Sequence, residues 1–451
     1  MSHLGPIDES ALAKTLGLPK PDVQQALLRL EAQGGILRGQ FTGSPETEWC
    51  DRRLLMRIHR LTLGILRREI QPVTPAEFMR WLLRWQHVAP GTQVLAERGT
   101  LEVVRQLQGF EAPASAWEPQ ILARRIADYD PQVLDRLCLA GAVGWGRQSP
   151  HPAFSSPMES GSGNENPSAR RVIPTSAVPI TFFAREDMDW MVPRAAHSRQ
   201  ALESLSHPAR DVHAYLRSRG ASFFADMARG SGRLKSEVEM ALWELVSAGL
   251  VTADGFDSLR AFLDPKRRAG QGRGRTARPR NSAGRWSLLY AEETASRPAA
   301  LEGVAKVLLN RYGVVFRDLL ARENFPLHWR ELLMTLRRFE DKGEVRGGRF
   351  VDGFVGEQFA LPLAVESLRA ARRAPATGER VTVSAADPLN LVGIIVPGER
   401  VPANSGQAIA FCDGVLSSEF GKPLVAALTG ASGGRPELSE DDKCRLGSYE
   451  S

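Results

Sequence analysis

One order of segments recurs along this 451-residue chain and limits the folds that it can adopt. An amphipathic helix is followed by a turn containing Gly or Pro, then by a second helix that ends at Gly, and then by a short β segment carrying Arg or Trp. This is the layout of a winged helix, in which the second helix of a helix-turn-helix can enter a nucleic-acid groove and a strand pair forms the wing. The pattern predicts a mainly α protein with short β wings, built from tandem winged-helix domains.

The clearest copy runs from Ala209 to Phe256, and a second strong copy runs from Leu301 to Pro362. In the first of these, Gly249 ends the third helix and Asp254-Gly255 is predicted to reverse the chain into the wing. Four apolar residues of that helix recur at helical spacing: Val238, Ala241, Leu242 and Leu245. In the second copy, HWRELLMTLRRFEDKG supplies the last helix and EVRGGRFVDGFVGEQFALP the wing.

The first copy, ESALAKTLGLPKPDVQQALLRLEAQGG, is incomplete because no leading helix precedes Asp8, its predicted N-cap. The chain is therefore expected to begin inside a domain of a longer or once longer polypeptide. Next, EWCDRRLLMRIHRLTLGILRREI predicts one long helix, and Thr74 with Glu77 predicts a capping box around Pro75. A further unit from Trp117 to Arg147 brings the predicted number of winged-helix-like units to five.

Two stretches interrupt the helical pattern and are predicted to be linkers, one rich in Ser, Pro, Gly and Asn and one rich in Arg and Gly. The tail contains short β runs separated by Pro, Asn and Gly, which predict a small C-terminal β-barrel. The predicted boundaries are 1–45 (truncated winged helix), 46–98 (helical winged-helix-like unit), 99–147 (winged-helix-like unit), 148–176 (flexible linker), 177–264 (winged helix), 265–285 (basic linker), 286–365 (winged helix), 366–424 (β-barrel) and 425–451 (disordered tail).

The positive charge is concentrated in the second linker. Eight basic residues and no acidic residue lie between Lys266 and Arg285, and without them the formal net charge of +6 becomes −2. Such a segment suits phosphate backbones, because each neutralised phosphate releases condensed counterions. A solubilising linker is the alternative interpretation. The predicted phosphate contacts are Arg267, Arg268, Arg273 and Arg275.

Two further clusters are predicted to contact nucleic acid. Trp81 and Trp85 lie four residues apart, beside Arg80 and Arg84, which would suit stacking of unpaired bases. Alternatively, the two Trp residues belong to the core, where large aromatic side chains tend to lie. Around the last recognition helix and its wing, six residues are predicted to contact phosphates without sequence readout: Trp329, Arg330, Arg337, Arg338, Arg346 and Arg349.

Several other kinds of chemistry are not predicted. The sequence contains no G-x-x-x-x-G-K-[ST] loop, no G-x-S-x-G, no H-E-x-x-H and no paired-Cys motif. We therefore predict no ATPase motor, no metal site and no cofactor, and we assign no catalytic residue. No apolar run approaches the roughly 20 residues that span a bilayer, and no secretory signal is present. A cytoplasmic location without membrane contact is predicted.

Long segments resemble the C-terminal region of the bacterial large helicase-related (Lhr) proteins. The resemblance lies in EWCDRRLLMRIHR, FMRWLLRWQHV, LQGFEAPASAWEPQILARRI, GEVRGGRFVDGFVGEQFALP and SAADPLNLVGIIVPG, and it extends to about Val415. It implies tandem winged helices and a β-barrel, without the motor lobes of these superfamily 2 DEAD/DEAH-box ATP-dependent helicases. The implied role is nucleic-acid binding in DNA repair. The implied partners are single-stranded or damaged DNA, an RNA:DNA hybrid and a separately encoded helicase motor.

The same region more distantly resembles helix-turn-helix DNA glycosylases, which implies excision of uracil or damaged bases as an alternative function. Such an enzyme needs a carboxylate or an amide to position water and stabilise an oxocarbenium-like centre. The Gln-x-Asp or Gln-x-Gln motif of those glycosylases is not identified here, and Asp387 is either such a carboxylate or a turn residue before Pro388. A third alternative is an oligomerisation or partner-docking scaffold, which includes a homo-oligomer.

Overall fold

The computed structural model describes residues 4–68, 71–149, 151, 178–191, 202, 204–263, 284–289, 295–325 and 327–417. The predicted tail at 425–451 lies outside the described residues, as do nearly all of 148–176 and 265–285. The chain divides into two compact units, residues 1–72 with 347–349, and residues 73–346 with 350–451.

The described part of the first unit is a small winged-helix-like fold followed by a helix. In chain order its elements are β1 (Ile7–Asp8), α1 (Glu9–Leu16), α2 (Lys20–Ala32), β2 (Ile36–Gly39), β3 (Glu48–Asp51) and α3 (Arg52–Arg68). Strand β3 lies between β1 and β2 and is antiparallel to both. Asp8 caps α1 as predicted, because its side chain accepts a hydrogen bond from the backbone N–H of Ala11 at 2.8 Å. The core packs Leu12, Leu27 and Trp49 between the helices and the sheet.

The second unit begins with a helix whose predicted start is confirmed. In α4 (Pro75–Trp85), Thr74 and Glu77 form the capping box and Pro75 is the first helical residue. The elements that follow are α5 (Ala96–Leu107), β4 (Ala112–Pro113), α6 (Ala114–Ala116), a π-helix (Trp117–Leu122), α7 (Ala123–Arg125), α8 (Pro131–Leu139), β5 (Val143–Gly146), β6 (Pro179–Ala184), a 3₁₀ helix (Arg185–Asp187) and α9 (Met188–Met191). They form a winged helix whose sheet has the order β4–β6–β5.

The next winged helix repeats this plan. Its elements are α10 (His207–Arg219), β7 (Ser222–Phe223), α11 (Phe224–Ser231), α12 (Lys235–Ser247), β8 (Val251–Ala253), α13 (Asp257–Leu263) and β9 (Arg285–Leu288), with the sheet order β7–β9–β8. The predicted apolar stripe of α12 is buried, with Val238, Leu242 and Leu245 at 0% exposure. One continuous core joins this domain to the preceding one, and Trp117, Trp145 and Trp243 lie within it.

The last winged helix is followed by a small sheet. The elements are α14 (Arg297–Tyr312), β10 (Val314–Val315), a 3₁₀ helix (Arg317–Arg322), α15 (Trp329–Asp341), β11 (Arg346–Gly348), β12 (Gln358–Ala360), α16 (Pro362–Arg373), β13 (Arg380–Ser384), β14 (Ala408–Cys412) and β15 (Val415–Leu416). Strands β13, β14 and β15 form an antiparallel sheet, with Val381 opposite Phe411. No closed barrel is formed by the described residues, so the predicted barrel is not confirmed, and α16 occupies the start of that predicted segment.

The number of winged-helix units is four and not five within the described part of the chain. Between β3 and β4 the structure places α3, α4 and α5 but no named strand, so residues 46–98 do not build a wing of their own. Helical periodicity predicts the helices of this segment, but the long helix expected from Glu48 begins only at Arg52, because Glu48–Asp51 form strand β3. A wing, however, requires strands that pair with distant residues, and such pairing leaves no local signal.

Both predicted linkers connect strands that pair with each other. Val143 of β5 lies opposite Ala184 of β6, and Val251 of β8 lies opposite Leu288 of β9. The segments therefore interrupt two wings and do not separate domains. The predicted reversal at Asp254-Gly255 is also wrong, because α13 begins at Asp257 and the partner strand β9 comes much later in the chain. Loss of apolar periodicity shows where regular structure ends, but it does not show which strands pair across the gap.

Candidate nucleic-acid interface

Helix α15 occupies the recognition-helix position of the last winged helix. Leu332, Leu336 and Phe339 recur at i, i+4 and i+7, are buried, and lie on the side that packs against α14. Arg330, Met334 and Arg337 recur at the same spacing and are exposed, Met334 at 55%. The helix therefore has one face in the core and a basic face in solvent.

The arginines of this exposed face form weak ion pairs or none within the described residues. Arg330 has no ion-pair partner among the described residues. Arg337 donates from Nε to Glu357 at 2.8 Å, and a nitrogen of Arg338 lies 3.6 Å from Glu302. Both arginine side chains are about half exposed. Exposed ion pairs of this kind contribute about 0–1 kcal/mol, so a phosphate can compete for these guanidinium groups.

The remaining residues predicted around this helix differ in their exposure. Arg346 and Arg349 are exposed, whereas Trp329 is half-buried at the first turn of α15. The four arginines predicted in the basic linker lie outside the described residues: Arg267, Arg268, Arg273 and Arg275.

The Trp81 and Trp85 pair lies in the packed interior of the second unit and does not form an open stacking platform. The two rings stack at a centroid distance of 5.0 Å, and Trp81 is only 3% exposed. The indole N–H of Trp81 donates to Ser367 Oγ at 2.9 Å, and that of half-buried Trp85 donates to the carbonyl of Asn310 at 2.8 Å. Their polar atoms and the buried ring faces are thus used within the fold.

The two neighbouring arginines also have partners within the fold. Arg80 donates to the carbonyl oxygens of Ala371 and Ala374 at 2.8 and 3.0 Å, and so satisfies the C-terminal carbonyls of α16. Arg84 is half exposed and pairs with Glu379 at 2.9 Å. Sequence spacing identified one helix face correctly, but the structure shows that α16 and the residues between α16 and β13 pack against that face.

Asp387 is wholly buried in an ion pair. Its Oδ2 and Oδ1 accept hydrogen bonds from Arg125 Nη1 and Nη2 at 2.7 and 2.8 Å, and both side chains are 0% exposed. Gln86 Oε1 accepts a further bond from Arg125 at 3.0 Å, and the backbone N–H of Leu389 donates to Asp387 Oδ1 at 2.9 Å. The carboxylate thus joins α7 of one winged helix to the turn after β13, and substrate cannot reach it in this arrangement.

A second buried polar cluster was not predicted from the sequence. Arg311 pairs with Glu323 at essentially zero exposure, and Tyr312 donates to Glu323 at 2.7 Å. Arg322 donates to the backbone carbonyl of Asp387 at 2.7 Å, which links this cluster to the Arg125 pair. Burial and the adjacent Glu323 carboxylate raise the pKa of Tyr312, so its hydroxyl stays protonated and acts as a donor. The sequence contains no distinctive signal for this cluster, because α14 also carries the polar residues Glu302, Lys306 and Asn310.

The described residues contain neither a membrane-spanning helix nor a cluster of metal-ligating side chains. No helix among them is both long and apolar enough to cross a bilayer. Within the same ranges, no three His, Cys, Asp or Glu side chains are grouped so that they could hold a metal ion.

Comparison with known proteins places two of these domains in a family. Residues 73–156 match a model of the third winged-helix domain of large helicase-related proteins, and residues 294–380 match the model of the fourth. A protein of Mycolicibacterium smegmatis, described as an Lhr helicase and probable uracil glycosylase, is 31% identical over 443 residues. The match covers 91% of this chain and 28% of that protein.

A second relative, from Escherichia coli, is described as an Lhr helicase/uracil glycosylase. It is 30% identical over 433 residues, which is 87% of this chain and 26% of the relative. The chain therefore spans about a quarter of the length of these two relatives. Its winged-helix domains at 73–156 and 294–380 are those of the large helicase-related family, and its predicted resemblance to the C-terminal region of those proteins is confirmed.

Proposed function

We propose that this chain is the nucleic-acid-binding C-terminal module of an Lhr-type helicase that acts in DNA repair, and that it has no ATPase or helicase activity of its own. The observation that carries the proposal is the exposed arginine face of α15, in the recognition-helix position of a winged helix of this family. Guanidinium groups in this position contact backbone phosphates, which provides affinity for many sequences.

The basic segment within the middle wing supports the same proposal. It lies in the sequence between α13 and β9, and β9 is a strand of the wing, an element that contacts nucleic acid in many winged helices. Arg267, Arg268, Arg273 and Arg275 are proposed to add phosphate contacts there. We propose single-stranded or damaged DNA and RNA:DNA hybrids as ligands, a helicase motor as the protein partner, and the cytoplasm as the location.

A salt titration with the full chain tests this function. Binding to a labelled strand and a labelled duplex is measured by fluorescence anisotropy between 50 and 200 mM salt, with the unaltered chain and with R330A/R337A. We expect tight binding that weakens with salt, and we expect the double variant to reduce the slope of log K against log salt by about one for each phosphate that is no longer neutralised. Arg105→Ala is the matched control, since Arg105 is similarly exposed but lies on α5. An unchanged slope in R330A/R337A would refute the role of α15.

Base excision is the second candidate function, because the M. smegmatis relative is described as a probable uracil glycosylase and the E. coli relative as a uracil glycosylase. The burial of Asp387 argues against that carboxylate as the group that positions water, and no catalytic residue is assigned. Incubation with a strand containing one uracil, followed by alkali, tests this activity without ATP or metal. Scission at the uracil supports the glycosylase function, whereas an intact strand that is nevertheless bound supports the binding module alone.

A further inference from the structure

The middle winged helix contains an open cleft of about 600 Å³ that the recognition helix does not form. The cleft lies where the end of α10, strand β7, helix α11 and the first residue of β9 meet. Its walls carry two aromatic side chains, Tyr215 and Phe223, and three arginines, Arg219, Arg229 and Arg285. The volume is within the range of small-ligand sites, about 300–1,000 Å³.

Phe223 is placed where its side chain serves neither the helix nor the core. It is the N-cap residue of α11, where Ser, Thr, Asp or Asn would normally accept a backbone hydrogen bond, and it makes no such bond. Its side chain is 48% exposed. A phenyl ring at this position provides no capping hydrogen bond and gains little free energy from burial. The exposed ring is therefore available to contact a ligand.

The last winged helix provides an internal comparison. Phe223 is the second residue of β7, and the second residue of the corresponding strand β10 is Val315, which is only 1% exposed. The aromatic residue that follows each strand is buried in both domains, Phe224 at 3% and Phe316 at 1% exposure. About half of the Phe223 surface, in contrast, remains open to the cleft. A position that is covered in one repeat is therefore available to an external ring in the other.

The charges around Phe223 favour an anionic ligand. Arg219 is exposed and has no ion-pair partner among the described residues. Arg229 pairs with Asp226 and Arg285 with Asp254, but both arginine side chains are more than half exposed, so these pairs are weak. Three arginines and one carboxylate, that of Asp226, line the cleft.

One wall of the cleft depends on a glycine. A Cβ atom added at Gly230 would lie 2.1 Å from the Tyr215 ring, so the ring packs directly on the glycine backbone. This close approach places the Tyr215 ring against α11 at the side of the cleft.

We propose that this cleft binds one unpaired nucleotide of a single-stranded nucleic acid, with the base stacked on Phe223 and the flanking phosphates held by Arg219, Arg229 and Arg285. An aromatic ring beside guanidinium groups is the combination that binds single strands without sequence preference. A base in a duplex is already stacked and paired, and reaching the cleft would require its extrusion. The inference rests on the proposed nucleic-acid binding and assigns the preference for single strands to this cleft.

The test compares three labelled probes of equal length: an oligothymidine strand, the same strand with every base replaced by an abasic site, and a blunt duplex. Anisotropy titrations at fixed salt use the full chain, Phe223→Ala, Phe223→Leu, Phe223→Trp and Arg219→Ala. Arg217→Ala is the matched control, because Arg217 is exposed on the same helix and does not line the cleft. Thermal unfolding of each variant establishes that the domain remains folded.

We expect Phe223→Ala and Phe223→Leu to weaken oligothymidine binding at least about fivefold, since stacking on one aromatic ring has that effect or more. Phe223→Trp retains binding, duplex affinity is unchanged, and the preference for the thymidine over the abasic strand decreases in the Ala and Leu variants. Arg219→Ala weakens binding of both single strands, whereas Arg217→Ala does not.

Two results would overturn the inference in different ways. If R330A/R337A weakens binding while the Phe223 and Arg219 variants bind single strands like the unaltered chain, the proposed function stands and the cleft inference is wrong. If the unaltered, folded chain binds none of the three probes, the proposed function and the inference both fail.

Discussion

Removal of the Asp387 carboxylate leaves a buried guanidinium without its counter-charge. Arg125 and Asp387 are both 0% exposed and share two hydrogen bonds of 2.7 and 2.8 Å. In Asp387→Ala, the acceptors that Arg125 retains among the described residues are the neutral oxygens of Gln86 and Ile121. The backbone N–H of Leu389 also loses its acceptor.

The expected loss of stability is large for one side chain. Removing one partner of a buried ion pair costs about 3–5 kcal/mol, because the remaining charge stays buried and uncompensated. Replacing both partners with apolar residues removes both charges, and such exchanges are often neutral or stabilising. We therefore expect R125M/D387L to be more stable than Asp387→Ala, although it carries two substitutions.

Urea unfolding followed by tryptophan fluorescence measures the global effect, and hydrogen exchange of the β13 and β14 amides reports local release of the terminal sheet. Asp352→Ala is the control, because that carboxylate is exposed, and we expect a change within about 0.5 kcal/mol. A cost below about 1 kcal/mol for Asp387→Ala would refute the argument from burial. So would a double variant as unstable as the sum of both single variants.

Three further predictions follow from other parts of the second unit. Trp81→Ala should destabilise the fold by about 3–5 kcal/mol in urea unfolding, as expected for a core aromatic residue, and a folded variant with selectively weakened single-strand binding would contradict the core assignment. Gly414→Ala should cost at least about 1–3 kcal/mol, because the backbone has φ +85° and the new Cβ would lie 2.0 Å from the Ala76 carbonyl oxygen; unchanged thermal stability would refute this packing. Burial raises the pKa of the Cys138 thiol from 9.0 to about 12, so its thiolate is about a thousandfold scarcer when folded, and iodoacetamide should modify it only after unfolding. The thiol ionises at a lower pH in the unfolded chain than in the folded one, so Cys138 should lower the free energy of unfolding as the pH rises from 9 towards 12. Alkylation of the folded protein at the rate of a free thiol would contradict the burial of Cys138.

The local elements were largely predictable from sequence. The capping box at Thr74 and Glu77, the N-cap at Asp8 and the buried stripe of α12 were each predicted and are present. Capping and helical periodicity involve residues at most a few positions apart, so the sequence carries their full signal. The same holds for the basic face of α15, where Arg330 and Arg337 lie opposite a buried apolar stripe.

Strand pairing was not predictable in the same way. The two segments interpreted as linkers each connect paired strands of one wing, and residues 46–98 contribute helices without a wing of their own. In these two wings, Val143 pairs with Ala184 and Val251 with Leu288, far along the chain, and composition does not encode the identity of such a distant partner.

The sequence by itself therefore determined the repeated winged-helix plan, the starts of helices α1 and α4 and the places where basic residues are concentrated. Only the tertiary structure decided which of those residues remain free to bind a ligand. Arg80 and Trp81 lie against α16, Asp387 neutralises Arg125, and Phe223 stays half exposed while Val315, at the same position of strand β10, is covered. Each difference depends on what packs against a side chain from a distant part of the sequence. Burial and charge compensation are properties of that three-dimensional neighbourhood, and residue type and spacing alone do not specify them.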